Sequence, residues 1–325
     1  MASSNSYNFV VTRDQLITDA LLYIGAIAES ETPTAAAITE SARLLNMIVK
    51  LRAADGMPLW ALKRATILPE TDVSSINTTG HIVSSYVNTT ISADEASAQT
   101  ILSVTSSTGM AASDQVGIEM DDGTMHWTTI VTVDSSTQIT ITTAIDDEAS
   151  SGNQVYVYTA ADDRIARPLR VIEGNILNVV DDSSWPLELE NRRGYFSLGN
   201  RTSEGTPNRI YYDATLGDAT ASPDSSTTWY GTFYIFPRFQ GGDEVIEFTY
   251  HRPFQDFDAA GDHPDFPQEF YLPIMLELAA LSGAKYGIPI DERKALHAEA
   301  KMYREEALLT VSPEGSIMLQ PEDLS

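Results

Sequence analysis

The chain has 325 residues, 42% hydrophobic and 9% aromatic, too apolar for a disordered polypeptide and long enough for one large domain or two ordinary ones. Its 20 Lys and Arg stand against 46 Asp and Glu, a formal charge of −26, which argues against tight nucleic-acid binding because that affinity comes from cations neutralising phosphates. There are no cysteines, so disulfides, thiolate chemistry and cysteine-bound metals are excluded.

The opening MASSNSYNFVV lacks the positive segment and apolar run of a secretory signal, which predicts folding in a reducing cytoplasm. Thr12 and Gln15 stand at capping-box spacing, and Leu16, Ala20, Tyr23, Ile24 and Ile27 form the apolar stripe of the helix that follows. After ESETPT, Thr32 and Pro33 predict a second N-cap and first turn. Ile38, Ala42, Leu45 and Val49 continue at helical spacing, broadened by Leu44, Ile48 and Leu51, until Asp55-Gly56 and Pro58 close the helix.

From Val73 to about Thr159 the chain is rich in Ser, Thr and Asp and free of Lys and Arg. Period-two runs at 130–133, 138–142 and 154–158, with turn signals at 121–123, 134–136 and 150–153, predict short strands. Residues 73–160 therefore read as an inserted small all-β domain, a sandwich or barrel. RPLRVI, PLELE, NRIYYD, TFYIFP and DEVIEFTYHRP read as further strands of the host.

Asp265 and Pro267 then predict a cap and a first-turn proline for a helix that is apolar almost all round. Phe270, Ile274, Leu278 and Leu281 share one face, Leu272, Met275, Leu276, Ala279 and Ala280 cover much of the rest, and Glu277 interrupts the run. The run falls short of the ~20 residues that span a bilayer and contains Pro273, so no membrane span is expected; a helix buried in a core and shared with a partner is. A last helix carries Leu296, Ala300, Tyr303 and Ala307 as its stripe. The predicted fold class is α+β: a helical-bundle core, built from the N-terminal hairpin and the C-terminal helices, with β strands. This host spans 1–72 and 161–310, interrupted by the insertion at 73–160 and followed by an extended tail at 311–325.

Phosphate-binding glycine loops, H-E-x-x-H and G-x-S-x-G are absent from the sequence. His251, Asp256, Asp258, Asp262, His263 and Asp265 supply imidazole and carboxylate groups suited to a divalent cation, but their prolines and glycine read as a loop entering a helix, its acids acting as caps. No metal, cofactor or catalytic residue is predicted, and the chain is not expected to be an enzyme. Arg164, Arg167, Arg170, Arg192, Arg193, Arg201 and Arg209 form the one local excess of positive charge, open to internal ion pairing or to docking an acidic protein.

Three ordered stretches resemble the head-to-tail adaptor (head-completion, or tail accessory) proteins of short-tailed bacteriophages. They are QLITDALLYIGAIAESETPTAAAITESARLLNMIVKLRAADGMPLW, then GTPNRIYYD with YIFPRF and IEFTYHRPFQDF, then HPDFPQEFYLPIMLELAALSGAKYGI with its charged final helix. The resemblance covers roughly 10–70 and 164–320 and leaves the insertion outside the pattern. It implies a virion neck or tail protein, assembled in the host bacterial cytoplasm, that forms a homo-oligomeric ring, most often of twelve copies. Such a ring docks on the portal protein, passes genomic DNA without specific binding, and seats a downstream tail or nozzle protein and a fibre or spike.

Partner contacts are expected at Tyr303, Arg304, Ile317, Met318 and Leu319. Burying the last three contributes about 1.5–3 kcal/mol each, while ordering seven tail residues costs about 1–2 kcal/mol per residue, so the tail is predicted to be loose until it grips portal. Two other functions stay open on the residues: a virion-associated peptidoglycan hydrolase built on an acid pair, and a glycan-binding module using Trp127, Tyr156 and Tyr158 of the insertion.

Overall fold

The computed structural model describes residues 9–54, 61–78, 80–215 and 231–311. The helix stop at Asp55-Gly56-Pro58 and the tail with Ile317, Met318 and Leu319 lie outside these residues. The chain divides into two compact units, Met1–Ala61 with Pro253–Ser325, and Leu62–Arg252. Helices α1 (Arg13–Tyr23), α2 (Ala35–Ala54), α4 (Tyr271–Ser282) and α5 (Ile290–Val311) belong to the first unit, and the short α3 (Arg192–Phe196) to the second.

In the helical unit, α1 starts as its sequence dictates. The Thr12 hydroxyl accepts the Gln15 N–H at 3.3 Å, and the Gln15 side chain accepts the Thr12 N–H at 2.9 Å, satisfying two donors that the first turn leaves open. The cap of α2 falls two residues later than Thr32: the Thr34 hydroxyl accepts the Ala37 N–H at 3.3 Å. Helix α4 packs against α1, α2 and α5, which is why it is apolar on nearly every side. Ile17, Leu21, Leu45, Ile48, Phe270, Leu276 and Leu278 fill this core.

Among its described residues the second unit is all β apart from α3. Its strands are β1 (Leu62–Ile67), β2 (Ser75–Asn77), β3 (Ile82–Val83), β4 (Val87–Thr90), β5 (Ile101–Ser103), β6 (Gln115–Glu119), β7 (Met125–Ser135) and β8 (Gln138–Ile141). They continue with β9 (Gln154–Tyr158), β10 (Arg170–Asn178), β11 (Ser183–Pro186), β12 (Glu188–Leu189), β13 (Arg209–Asp213), β14 (Thr232–Phe236) and β15 (Glu244–His251). Three sheets result, in the orders β11-β10-β15-β1-β3, β12-β13-β14-β2 and β4-β9-β6-β7-β8-β5.

The first two sheets stack. Ile67, Ile82, Ile176, Ile246 and Phe248 from one meet Ile76, Ile210, Phe233 and Ile235 from the other, with the Phe233 and Phe248 rings 4.8 Å apart. The third curls until its edges touch: Thr105 donates its N–H to the Thr90 carbonyl at 2.8 Å, Ser92 donates to Ser103 at 2.9 Å, and Ile91 bridges Val104. Leu102, Val116, Ile118, Ile139, Val155 and Val157 fill the interior, so this sheet forms a small barrel with a core of its own.

These sheets correct the predicted fold class. The described chain is mostly β, and a helical bundle is not its core. The physical reason lies in the strands assigned to the host. Alternate residues of NRIYYD, TFYIFP and EVIEFTYH face one another across two sheets and bury themselves without any helix as partner. Two strands of the 73–160 segment also join this sandwich, β2 beside β14 and β3 beside β1.

A seam of aromatic groups joins barrel to sandwich. The Trp127 ring stacks on His81 at 3.6 Å and donates its N–H to the Pro69 carbonyl at 3.1 Å. Gly117 lies opposite Trp127 on the neighbouring strand, and a Cβ there would come within 2.6 Å of the indole. Tyr156, fully buried, donates its hydroxyl proton to the Gly242 carbonyl, and Glu119 accepts the Gly242 N–H at 2.7 Å.

Candidate interaction surfaces

The acids of the 251–265 cluster hold loops and pair with a neighbouring helix. The Asp262 carboxylate accepts the N–H groups of Ala259 at 2.6 Å and Asp258 at 2.7 Å, which keeps its pKa below the usual carboxylate range. Asp265 accepts the Gln255 N–H at 3.0 Å, and Asp256 pairs with Lys50 at 2.9 Å. Among the described residues no group of three His, Cys, Asp or Glu side chains is arranged to hold a metal ion. No helix among them is long and apolar enough to cross a membrane.

The packing positions predicted on α4 and the turn that leads into it divide. Phe270, Ile274 and Leu278 are buried, whereas Leu281 is 49% exposed and lines a cleft of about 250 Å³ with Glu40, Ser41, Leu44 and Tyr286. Glu277, the one acidic interruption of the apolar run, is 3% exposed. It accepts two hydrogen bonds from Arg52 of α2 and one from Arg304 of α5 at 3.0 Å. Arg304 is therefore committed inside the helical unit, while its predicted companion Tyr303 is half-buried.

Two surfaces stand out. The first is on the helices: Met47 and Leu51 of α2, Leu272 of α4, and Ile290, Met302 and Leu309 of α5 are each 44% exposed or more. Met47 and Leu51 are four apart and so share one helical face.

The second lies on the sandwich and was not found from sequence. Tyr211 of β13 and Tyr234 of β14 are cross-strand partners, their rings 5.6 Å apart and nearly parallel, on the side of the sheet opposite Ile210, Phe233 and Ile235. Helix α3 sets Tyr195 and Phe196 against them, Phe196 edge-on to Tyr234 at 5.5 Å. Tyr195 is buried, and its hydroxyl reaches the Ser74 and Ile235 carbonyls at 3.3 Å. Burial raises its pKa, and the nearby Arg201 guanidinium opposes that rise.

Phe196 remains 44% exposed, with the guanidinium carbons of Arg201 at 5.1 Å and Arg192 at 5.9 Å from its ring centre. Among the described residues Arg209 pairs with Glu188 and Glu190, but no ion pair involves Arg192, Arg193 or Arg201. The signal in the sequence was the alternation of RIYYD and TFYIF, which sends Tyr211 and Tyr234 to the face away from the core.

No protein family matches the chain, and no curated protein does. Among solved structures, the Gp54 tailspike of Acinetobacter baumannii bacteriophage AP22, solved with capsular saccharide, matches at 14% identity and a TM-score of 0.21. The match covers 23% of this chain and 15% of the tailspike chain. A likeness of that extent carries no argument about the fold or function of this protein.

Proposed function

We propose that this protein is a structural component of a bacteriophage virion, a head-to-tail adaptor whose copies form a ring on the portal protein. One observation carries the reading: large apolar side chains stay exposed on α2, α4 and α5 although the core around α4 is already filled. Helices that keep Met47, Leu51, Leu272, Ile290 and Met302 outside a filled core fit burial against further copies or a partner. Contacts between unlike faces close into rings when the rotation allows. The high negative charge suits a wall along which DNA slides without adhering. The role needs no covalent chemistry. Mixing the purified chain with portal rings and imaging the product tests it: a ring of copies beneath portal supports the reading, and a chain that stays monomeric beside portal overturns it.

A second reading, glycan binding, draws on the exposed Phe196 ring beside Tyr211 and Tyr234. The aromatics of the barrel do not serve it: Tyr156 and Tyr158 are buried, and Trp127 lies in the barrel–sandwich seam. Retention on immobilised polysaccharide, lost in a Phe196→Ala variant, is the result that favours it.

A further inference from the structure

We propose that the arginine–aromatic platform around Phe196 receives the acidic barrel segment of a second copy of this chain. The inference rests on the ring reading and names the contact that builds the ring.

The platform side rests on the geometry already given. Arg192 and Arg201 stand over an exposed phenyl ring, Arg193 is exposed on the same short helix as Arg192, and none takes part in an ion pair among the described residues. A guanidinium held against an aromatic face is partly desolvated and pre-oriented, so a carboxylate that arrives there needs little further ordering. Arg192 also feels the Asp213 carboxylate, but none of the three arginines is held in an ion pair among the described residues, and in a chain of −26 charge such arginines are suited to acids of another molecule.

The occupant follows from the charge map. Residues 73–160 carry ten Asp and Glu and neither Lys nor Arg. At one end of the barrel these acids are drawn together. Asp121 donates its N–H to the Glu148 carbonyl at 2.8 Å, its carboxylate accepts the Ser150 N–H at 2.8 Å, and Asp94 accepts the Ser151 N–H at 2.9 Å. Asp94, Asp122 and Glu148 are exposed there.

Like charges on two such ends repel, so a copy's acidic end avoids another acidic end and favours a cationic patch. Platform and acidic end are different patches of one chain, so their contact is head-to-tail, the geometry that closes into rings. A neutral glycan would use the aromatic ring but would add no negative charge beside the Arg192 and Arg201 guanidinium groups.

Charge reversal in the full chain tests the inference. The variants R192E/R193E/R201E and D122K/E148K each place like charges across the contact. Each is expected to weaken self-association at least about tenfold, measured by sedimentation at low salt, with thermal unfolding like wild type. An equimolar mixture of the two restores both kinds of contact, and mixed rings are expected at wild-type concentration. The inference is overturned if R192E/R193E/R201E assembles like wild type, or if its only loss is retention on an anionic polysaccharide. It is overturned too if the mixture stays monomeric. A wild-type chain that never assembles removes the ring reading itself, a result distinct from wild-type and variant rings forming alike.

Discussion

Arg52 and Glu277 meet in a two-point hydrogen bond, Nη2 to Oε1 at 2.7 Å and Nε to Oε2 at 3.0 Å, with side chains only 12% and 4% exposed. The pair ties α2 to α4, and Arg304 brings α5 to the same carboxylate at 3.0 Å. A helix that is apolar almost all round thus carries one acid, placed where two guanidinium groups neutralise it.

Removing that acid leaves two arginines in a nearly dry site. Glu277→Ala is expected to destabilise the helical unit by about 3–5 kcal/mol, read as loss of helical circular dichroism at lower denaturant. Replacing Arg52, Glu277 and Arg304 together by Met or Leu is expected to recover most of that loss, because no buried charge is then left alone. A cost below about 1 kcal/mol for Glu277→Ala would contradict this account of the three-helix tie.

Gly117 is the second point of fit. A methyl group there meets the Trp127 indole at 2.6 Å, and the ring cannot yield while it is stacked on His81 and bonded to Pro69. Gly117→Ala is expected to cost about 1–3 kcal/mol and to shift Trp127 fluorescence, with Trp127→Leu relieving the strain in the double variant. Full stability with unchanged emission in the single variant is the result against it.

His81 sets a pH dependence. Burial, with the Arg164 charge as a lesser cause, lowers its pKa from 6.5 to about 3. Between those values the unfolded chain binds a proton that the folded chain refuses. This group's contribution is therefore fully present above pH 6.5 and is lost as pH falls toward 3, by at most about 1.4 kcal/mol per pH unit. His81→Phe keeps a ring against Trp127 and is expected to flatten the stability curve over pH 4–6 relative to wild type. Parallel curves would show that His81 is not the titrating group.

Residues 312–325 give a further prediction, from composition. A chain cut after 311 is expected to keep its folded circular dichroism and lose retention on portal rings at least about tenfold, since Ile317, Met318 and Leu319 are the proposed grips. Undiminished portal binding by the shortened chain removes the tail from the account.

Local rules made some of this structure legible in the sequence and long-range pairing hid the rest. The Thr12–Gln15 box, the β7, β8 and β9 strands and the apolar α4 follow from spacing within a few residues. The β2–β14 and β3–β1 pairs join strands that the sequence assigned to different domains, and no local period reports such partners. The helical-bundle expectation failed for a related reason: periodicity shows that a strand has a buried face, not whether a helix or another sheet covers it. For the same reason Leu281, in phase with Phe270, Ile274 and Leu278, turned out exposed. The platform was half legible, since the arginine excess was visible, but the aromatic rings beneath it depend on α3 folding onto β13 and β14.

The most direct measurement is native mass spectrometry of the purified chain, alone and with portal rings, paired with electron microscopy of the mixture. The account predicts closed rings of one subunit number seated beneath portal. A single 35.5 kDa species in every mixture, with portal left bare, would contradict it.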